Sequence, residues 1–396
     1  MSTSQSTLSA TLQTDATAGP QYQRLAGLSW LHFLNDGSAN YLPGILPAVL
    51  IALHQDVALA GGLMSALLVG QALQVFSGWF ADRIGGRLFI VIGVLGTSLA
   101  AAMIGLAPSM WVLIPALIVI GISSALFHPQ ALAGARALSG DRRGFGMSLF
   151  LVGGELGRGI WPLIASLVVV YWGLHYLWLL ALPALFSAAF LWRQLPIQKP
   201  RHAEAKPIVW REHIGPMSTL VGFSLLRALT IFGVVTFLPI LWHERGYDLT
   251  QGAELITVLL VVGIIGNIGG GHLSDRIGRR AVLLGSSLFG ALLLAAFLLS
   301  SGAWQMVILG LLGIALFASL PLGVLIGQDI FPENRSLGSG IALGLSNGLA
   351  AVALAALGFV QAAHGVDYVL WLLVGAITLA GFVSLALPAG TRKAAG

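Results

Sequence analysis

The chain has 396 residues, of which 57% are hydrophobic and only 9% are charged, and its mean hydropathy is +0.90. Soluble domains carry about 25% charged residues, so this composition excludes a water-covered globular fold and points to a protein that crosses a membrane many times. The formal net charge is +5 and there is no cysteine. Disulfides and cysteine-ligated metals are thereby excluded, and the basic excess is accounted for by membrane topology rather than by nucleic acid.

Residues 1–24 are polar and rich in Ser and Thr. They lack the charged start and short apolar core of a signal peptide, and are expected to form a disordered cytoplasmic tail. Apolar runs long enough to cross a bilayer follow at 25–50, 59–80, 88–107, 111–137, 145–172 and 175–194. After a polar, proline-bearing stretch at 195–214, six more fall at 215–242, 252–274, 281–301, 304–331, 337–363 and 367–388. The expected architecture is all-α: twelve transmembrane helices in two six-helix bundles, 25–194 and 215–388. A cytoplasmic linker at 195–214 joins them, and a short tail at 389–396 ends the chain. With both termini cytoplasmic, 17 of the 20 Lys and Arg residues fall on the inner side, Arg245 alone lies outside, and Arg158 and Arg227 lie within spans. That bias is the positive-inside pattern.

The two halves repeat. GWFADRIGGR at 78–87 matches GHLSDRIGRR at 271–280, a shift of 193 from Asp82 to Asp275. Within one residue, the same shift pairs Pro47 with Pro239, Gln74 with Asn267, Pro129 with Pro321, Glu155 with Asn347 and Asn35 with Arg227. A parallel repeat of six-span halves is the pattern of a two-bundle transporter whose substrate binds between the halves near the midplane.

Ionisable groups at that depth are costly unless they line a cavity and have partners. The stretch from Phe127 to Pro162 places His128, Glu155 and Arg158 there. In span 1, His32, Asp36 and Asn40 recur every fourth residue and form one polar stripe beside Asn35. Asp36 and His128 read as proton-carrying groups or as fixed helix-packing groups. Glu155 and Arg158, one turn apart, read as a pair that opens to exchange a proton for substrate, or as a permanent lock. Arg227 has no acid nearby in its own span. It either meets an anionic group of the substrate, as guanidinium does bidentately, or pairs with Asp36 across the seam. The amides Gln71, Gln74, Asn267 and Asn347 line the path or hydrogen-bond between helices. In the doubled loops, Asp82, Arg83, Arg87, Asp275 and Arg276 form an inner-face latch or simply set topology. No zincin, Walker or nucleophile-elbow motif occurs, so neither an enzyme nor an ATP-driven pump is expected, and neither a cofactor nor a metal is assigned.

On these residues the chain resembles the major facilitator superfamily from residue 25 onward. LHFLNDG at 31–37 and FHPQALAGARALSGDRRG at 127–144, with SLFLVGG at 148–154, resemble its fosmidomycin-resistance branch of drug efflux transporters. Gln130, Glu155, Arg158 and Trp161 depart from that branch's pattern. The resemblance implies proton-driven export of a small molecule from a bacterial inner membrane by a monomer. The partners are then protons, the bilayer and a substrate that the two arginines would suit if it is anionic or phosphonate-like. Two other readings stay open: an organic-anion importer and a non-transporting membrane sensor or scaffold.

Overall fold

The computed structural model describes residues 21–73, 86–140, 143–195, 210–332 and 335–388, and every regular element within them is a helix. The first half contains α1 (Tyr22–Asn40), α2 (Leu42–Ala52), α3 (Leu59–Ala72), α4 (Gly86–Ala102), α5 (Met110–Leu138), α6 (Arg143–Trp172) and α7 (Leu182–Leu191). The second contains α8 (Trp210–Glu244), α9 (Leu249–Ile277), α10 (Arg279–Leu299), α11 (Trp304–Ala318), α12 (Leu320–Ile330), α13 (Arg335–Gly340), α14 (Ser346–His364) and α15 (Val366–Ser384). Ten stretches among the described residues are long and apolar enough to cross a membrane. They coincide with ten of the twelve expected spans.

The remaining two expected spans take a different form. The first is divided at Tyr41 into α1 and α2. Pro43, in the first turn of α2, explains the break, because it has no N–H for the helix ladder and its ring crowds the preceding turn; Pro47 lies within α2. The polar stripe on α1 is what lowers its hydropathy. The second expected span appears as α3, and residues 74–80 of it lie outside the described residues.

Two turns show the internal repeat at backbone level. Gly173, after α6, has φ +95°, and Gly365, after α14, has φ +87°. Both occupy a region that side chains rarely tolerate, and each reverses the chain between neighbouring helices. Gly278 in the second D-R-I-G loop has φ +92°, so a single residue joins α9 to α10.

Glycines also let the two halves touch. A Cβ on Gly61 of α3 would overlap the Leu354 carbonyl oxygen of α14, and one on Gly358 would overlap the Ala58 carbonyl. At a second crossing, Thr257 Oγ1 of α9 donates to the Gly159 carbonyl of α6 at 2.7 Å, and a Cβ on Gly159 would meet Val261. The first crossing lies at the membrane face that carries the 53–58 and Gly365 turns. The second lies next to Arg158.

Overpacking a close helix crossing costs about 1–3 kcal/mol, so Gly358→Val is expected to prise α3 from α14. The chain has no native cysteine, so a single cysteine at the buried Leu354 reports the result. Its labelling by a water-soluble maleimide should be slow in the parent and several-fold faster with Gly358→Val; equal rates would mean that the crossing is not a tight seam.

Candidate substrate and coupling site

The polar stripe of α1 faces inward, with His32, Asn35 and Asp36 all buried. The helix lies against the glycines of α6. A Cβ on Gly154 would overlap the His32 ring, and one on Gly157 would overlap the Phe33 carbonyl. The Gly-rich stretch is therefore a groove that receives the His32 imidazole and the α1 backbone. Phe150 closes it: the two rings stack with centroids 4.2 Å apart at 14°, and the Phe150 carbonyl oxygen lies 2.8 Å from His32 Nδ1.

His128 reaches the same place from α5. Its Nδ1 lies 2.7 Å from the Ser124 carbonyl oxygen one turn earlier. The two Nε2 atoms converge on one carboxylate: His128 Nε2 is 3.2 Å from Asp36 Oδ1, and His32 Nε2 is 3.4 Å from Asp36 Oδ2. A carbonyl oxygen only accepts, so Nδ1 of each ring carries its hydrogen and donates. In a neutral ring Nε2 then presents a bare lone pair to a carboxylate oxygen, which is acceptor against acceptor. Each contact becomes attractive only with a proton between the two atoms, held by Nε2 or by the carboxyl oxygen. Asp36 is therefore partnered by histidines rather than by Arg227.

A shell of hydrogen bonds fixes the carboxylate. Asn35 Nδ2 donates to Asp36 Oδ1 at 3.0 Å and to Ser124 Oγ at 3.3 Å, and Asn35 Oδ1 accepts from Thr97 Oγ1 at 3.1 Å. Asn40 Nδ2 donates to the Asp36 backbone carbonyl at 2.8 Å, so its effect is on the helix just before the break at Tyr41. Thr97 and the Phe150 carbonyl escape sequence reading, because hydroxyls are common in membrane helices and a main-chain acceptor has no sequence signal.

Glu155 and Arg158 do pair, with Arg158 Nη1 at 3.3 Å and 3.4 Å from the two carboxylate oxygens. Arg227 comes from α8 in the other half, is 4% exposed, and lies within electrostatic range of both Arg158 and Glu155. Among the described residues it makes no hydrogen bond and no ion pair. Arg158 is in turn within electrostatic range of His128. The ionisable groups thus form one run from Asp36 through His128, Arg158 and Glu155 to Arg227, which crosses the seam between the halves.

Other expected site residues lie apart from this run. Gln71, Asn267 and Asn347 are half-buried on α3, α9 and α14, and no hydrogen bond ties them to the cluster. Gln74, Asp82 and Arg83 lie outside the described residues. Arg87 donates to the Leu195 carbonyl at 2.9 Å and lies over the Trp192 ring at 5.5 Å, both within its own half. Asp275 and Arg276 are exposed. Among the described residues, an ion pair on that face is made by Arg279 of the same loop with Asp329, again within one half.

The sequence matches the Major Facilitator Superfamily over residues 28–353. The chain belongs to that superfamily. It is therefore a transporter by family, not an enzyme, and a multi-pass membrane protein. This major facilitator chain is 25% identical over 375 residues to an uncharacterized MFS-type transporter, YfnC, of Bacillus subtilis, covering 91% of each. It is 24% identical over 380 residues to the fosmidomycin resistance protein of Escherichia coli, covering 93% of each. The crystal structure of a peptide transporter, POT, in complex with sulfate aligns with a TM-score of 0.75 at 17% identity, covering 94% of this chain and 97% of that one. That likeness shows the shared fold.

The charge run gives an asymmetric expectation. Glu155→Gln leaves Arg158 and Arg227 facing each other without compensation, and stranding a buried charge costs about 3–5 kcal/mol. Arg158→Gln leaves Glu155 with Arg227 nearby, so it should cost less. Thermal unfolding of the purified transporter is expected to rank parent, then Arg158→Gln, then Glu155→Gln, with the double variant above Glu155→Gln.

Proposed function

We propose that this major facilitator chain exports a small anionic compound from a bacterial inner membrane, with both termini cytoplasmic, driven by protons and working as a monomer. The observation that carries the reading is Arg227: a buried guanidinium halfway along α8, without a partner among the described residues. Glu155 lies within electrostatic range but makes no ion pair with it. A buried cation in a membrane is costly without a direct partner, and a carboxylate or phosphonate-like group would satisfy its planar donor fork. Such a group would lie across the seam, within reach of the Glu155–Arg158 pair. The name of the Escherichia coli relative, which confers resistance to a drug, supports efflux and a drug-like substrate.

Proton coupling is assigned to Asp36 with His128 and His32, and to Glu155. A proton on a ring Nε2 turns a repulsive contact with Asp36 into a charge-assisted one, so the cluster gains and loses protons without rearranging. A proton arriving at Glu155 would release Arg158 to the substrate, and its departure would restore the pair. Alternating access then follows from rocking of the bundle at 25–194 against that at 215–388. Asn35, Asn40, Gln71, Gln74, Asn267 and Asn347 would line or shape the path between them. The loops with Asp82, Arg83, Arg87, Asp275 and Arg276 would latch the inner face.

Two experiments test this. In inverted vesicles, substrate addition should move protons in the parent, and Asp36→Asn should abolish that movement; a parent that moves substrate but no protons would refute the coupling. Arg227→Ala should lower transport of organic acids and phosphonates by roughly a hundredfold, as loss of a charged hydrogen-bond donor worth about 3 kcal/mol predicts. Transport of neutral compounds by the same variant should fall far less. Net accumulation in whole cells would reverse the direction and make the protein an importer.

A further inference from the structure

The three atoms that meet at Asp36 form a ligand set that the sequence does not reveal, because one of them comes from α5 and two from α1. We propose that His32 Nε2, His128 Nε2 and the Asp36 carboxylate bind a divalent transition-metal ion of the zinc type. One ligand atom from each residue falls in a group spanning at most 4.8 Å. The separations from Asp36 Oδ2 to His32 Nε2 and from Oδ1 to His128 Nε2 are 3.4 Å and 3.2 Å. Two ligands bound tetrahedrally to zinc at about 2.0–2.1 Å are about 3.3–3.4 Å apart, so each histidine–carboxylate contact, one on each carboxylate oxygen, has about the length of one edge of such a site.

The surroundings are those of a metal-binding histidine pair. Each imidazole donates Nδ1–H to a main-chain carbonyl, from Phe150 and Ser124, which turns the bare Nε2 inward and fixes ring orientation. The His32 ring is clamped between Phe150 and Gly154. Asn35 holds the carboxylate. Two neutral imidazoles and one carboxylate leave a single negative charge for the ion, and Arg158 nearby is offset by Glu155 at 3.3 Å. The His128 side chain is 21% exposed, which leaves an approach to a fourth position for water. Imidazole favours Zn²⁺ and Co²⁺ over Mg²⁺ and Ca²⁺. Because metal and proton use the same Nε2 lone pairs, a bound ion excludes the proton that the cluster otherwise takes. Metal binding itself stands independently of any proton coupling.

The test uses the full-length, tag-free protein in detergent with Co²⁺ as a visible probe. One Co²⁺ per chain should bind with the intense ligand-field bands of a four-coordinate nitrogen and oxygen site. Zn²⁺ should displace it, and Mg²⁺ should not. His32→Gln and His128→Gln should each weaken binding by roughly tenfold or more, whereas His175→Gln, at an exposed position, should leave it unchanged. Binding that is absent, or as tight in both cluster variants as in the parent, overturns the proposal. Should the variants fail to fold, zinc-edge X-ray absorption of the wild type decides: imidazole scattering from two ligands supports the site, and its absence overturns it. Proton movement is measured separately with chelator present, so loss of one reading leaves the other intact.

Discussion

A carboxylate wedged between two imidazoles, each already committed through its other nitrogen, is the constraint on which this protein's interior rests. Asp36 cannot sit against His32 and His128 as three neutral or negative acceptors. It needs a proton at each contact, carried by Nε2 or by the carboxyl oxygen. Everything close by serves that requirement. The groove of Gly153, Gly154 and Gly157 brings α6 close enough for Phe150 to hold one ring. Asn35, bridged to Thr97 and Ser124, holds the carboxylate.

The charge distribution is lopsided between two halves that otherwise repeat. The first half holds Asp36, the two histidines and the Glu155–Arg158 pair, and the second contributes Arg227 alone to the run. Asn35 is the repeat partner of Arg227, and Asn347 that of Glu155. At equivalent places one half therefore has an ion where the other has an amide. At these positions no ion pair joins the halves among the described residues. Among the described residues the seam includes main-chain approaches at Gly61 and Gly358, a contact of Gly159 with Val261 and a neutral hydrogen bond from Thr257. These are short-ranged and readily broken.

In the observed arrangement, Arg87, Arg279 and Arg280 each donate to a partner within their own half, Leu195, Asp329 and Leu387. The basic loops thus hold no ion pair between the halves among the described residues. A latch role would require a state in which those local partners are exchanged for others.

The sequence by itself determined the membrane-spanning class, the internal repeat and the set of ionisable residues worth watching. Those follow from composition, periodicity and the cost of charge in hydrocarbon, which act residue by residue. It also marked the Glu155–Arg158 pair, because one helical turn fixes that distance. Only the tertiary structure decided that Asp36, one turn from His32 on its own helix, is also met by His128 rather than by Arg227. The contact joins α1 to α5, and no local rule sets the rotation of one helix against another. The role of the Gly-rich stretch as a seat for an imidazole was likewise hidden, since a glycine signals room without saying what fills it. Helix packing, a sum of many small contacts over two halves of the chain, chose those partners.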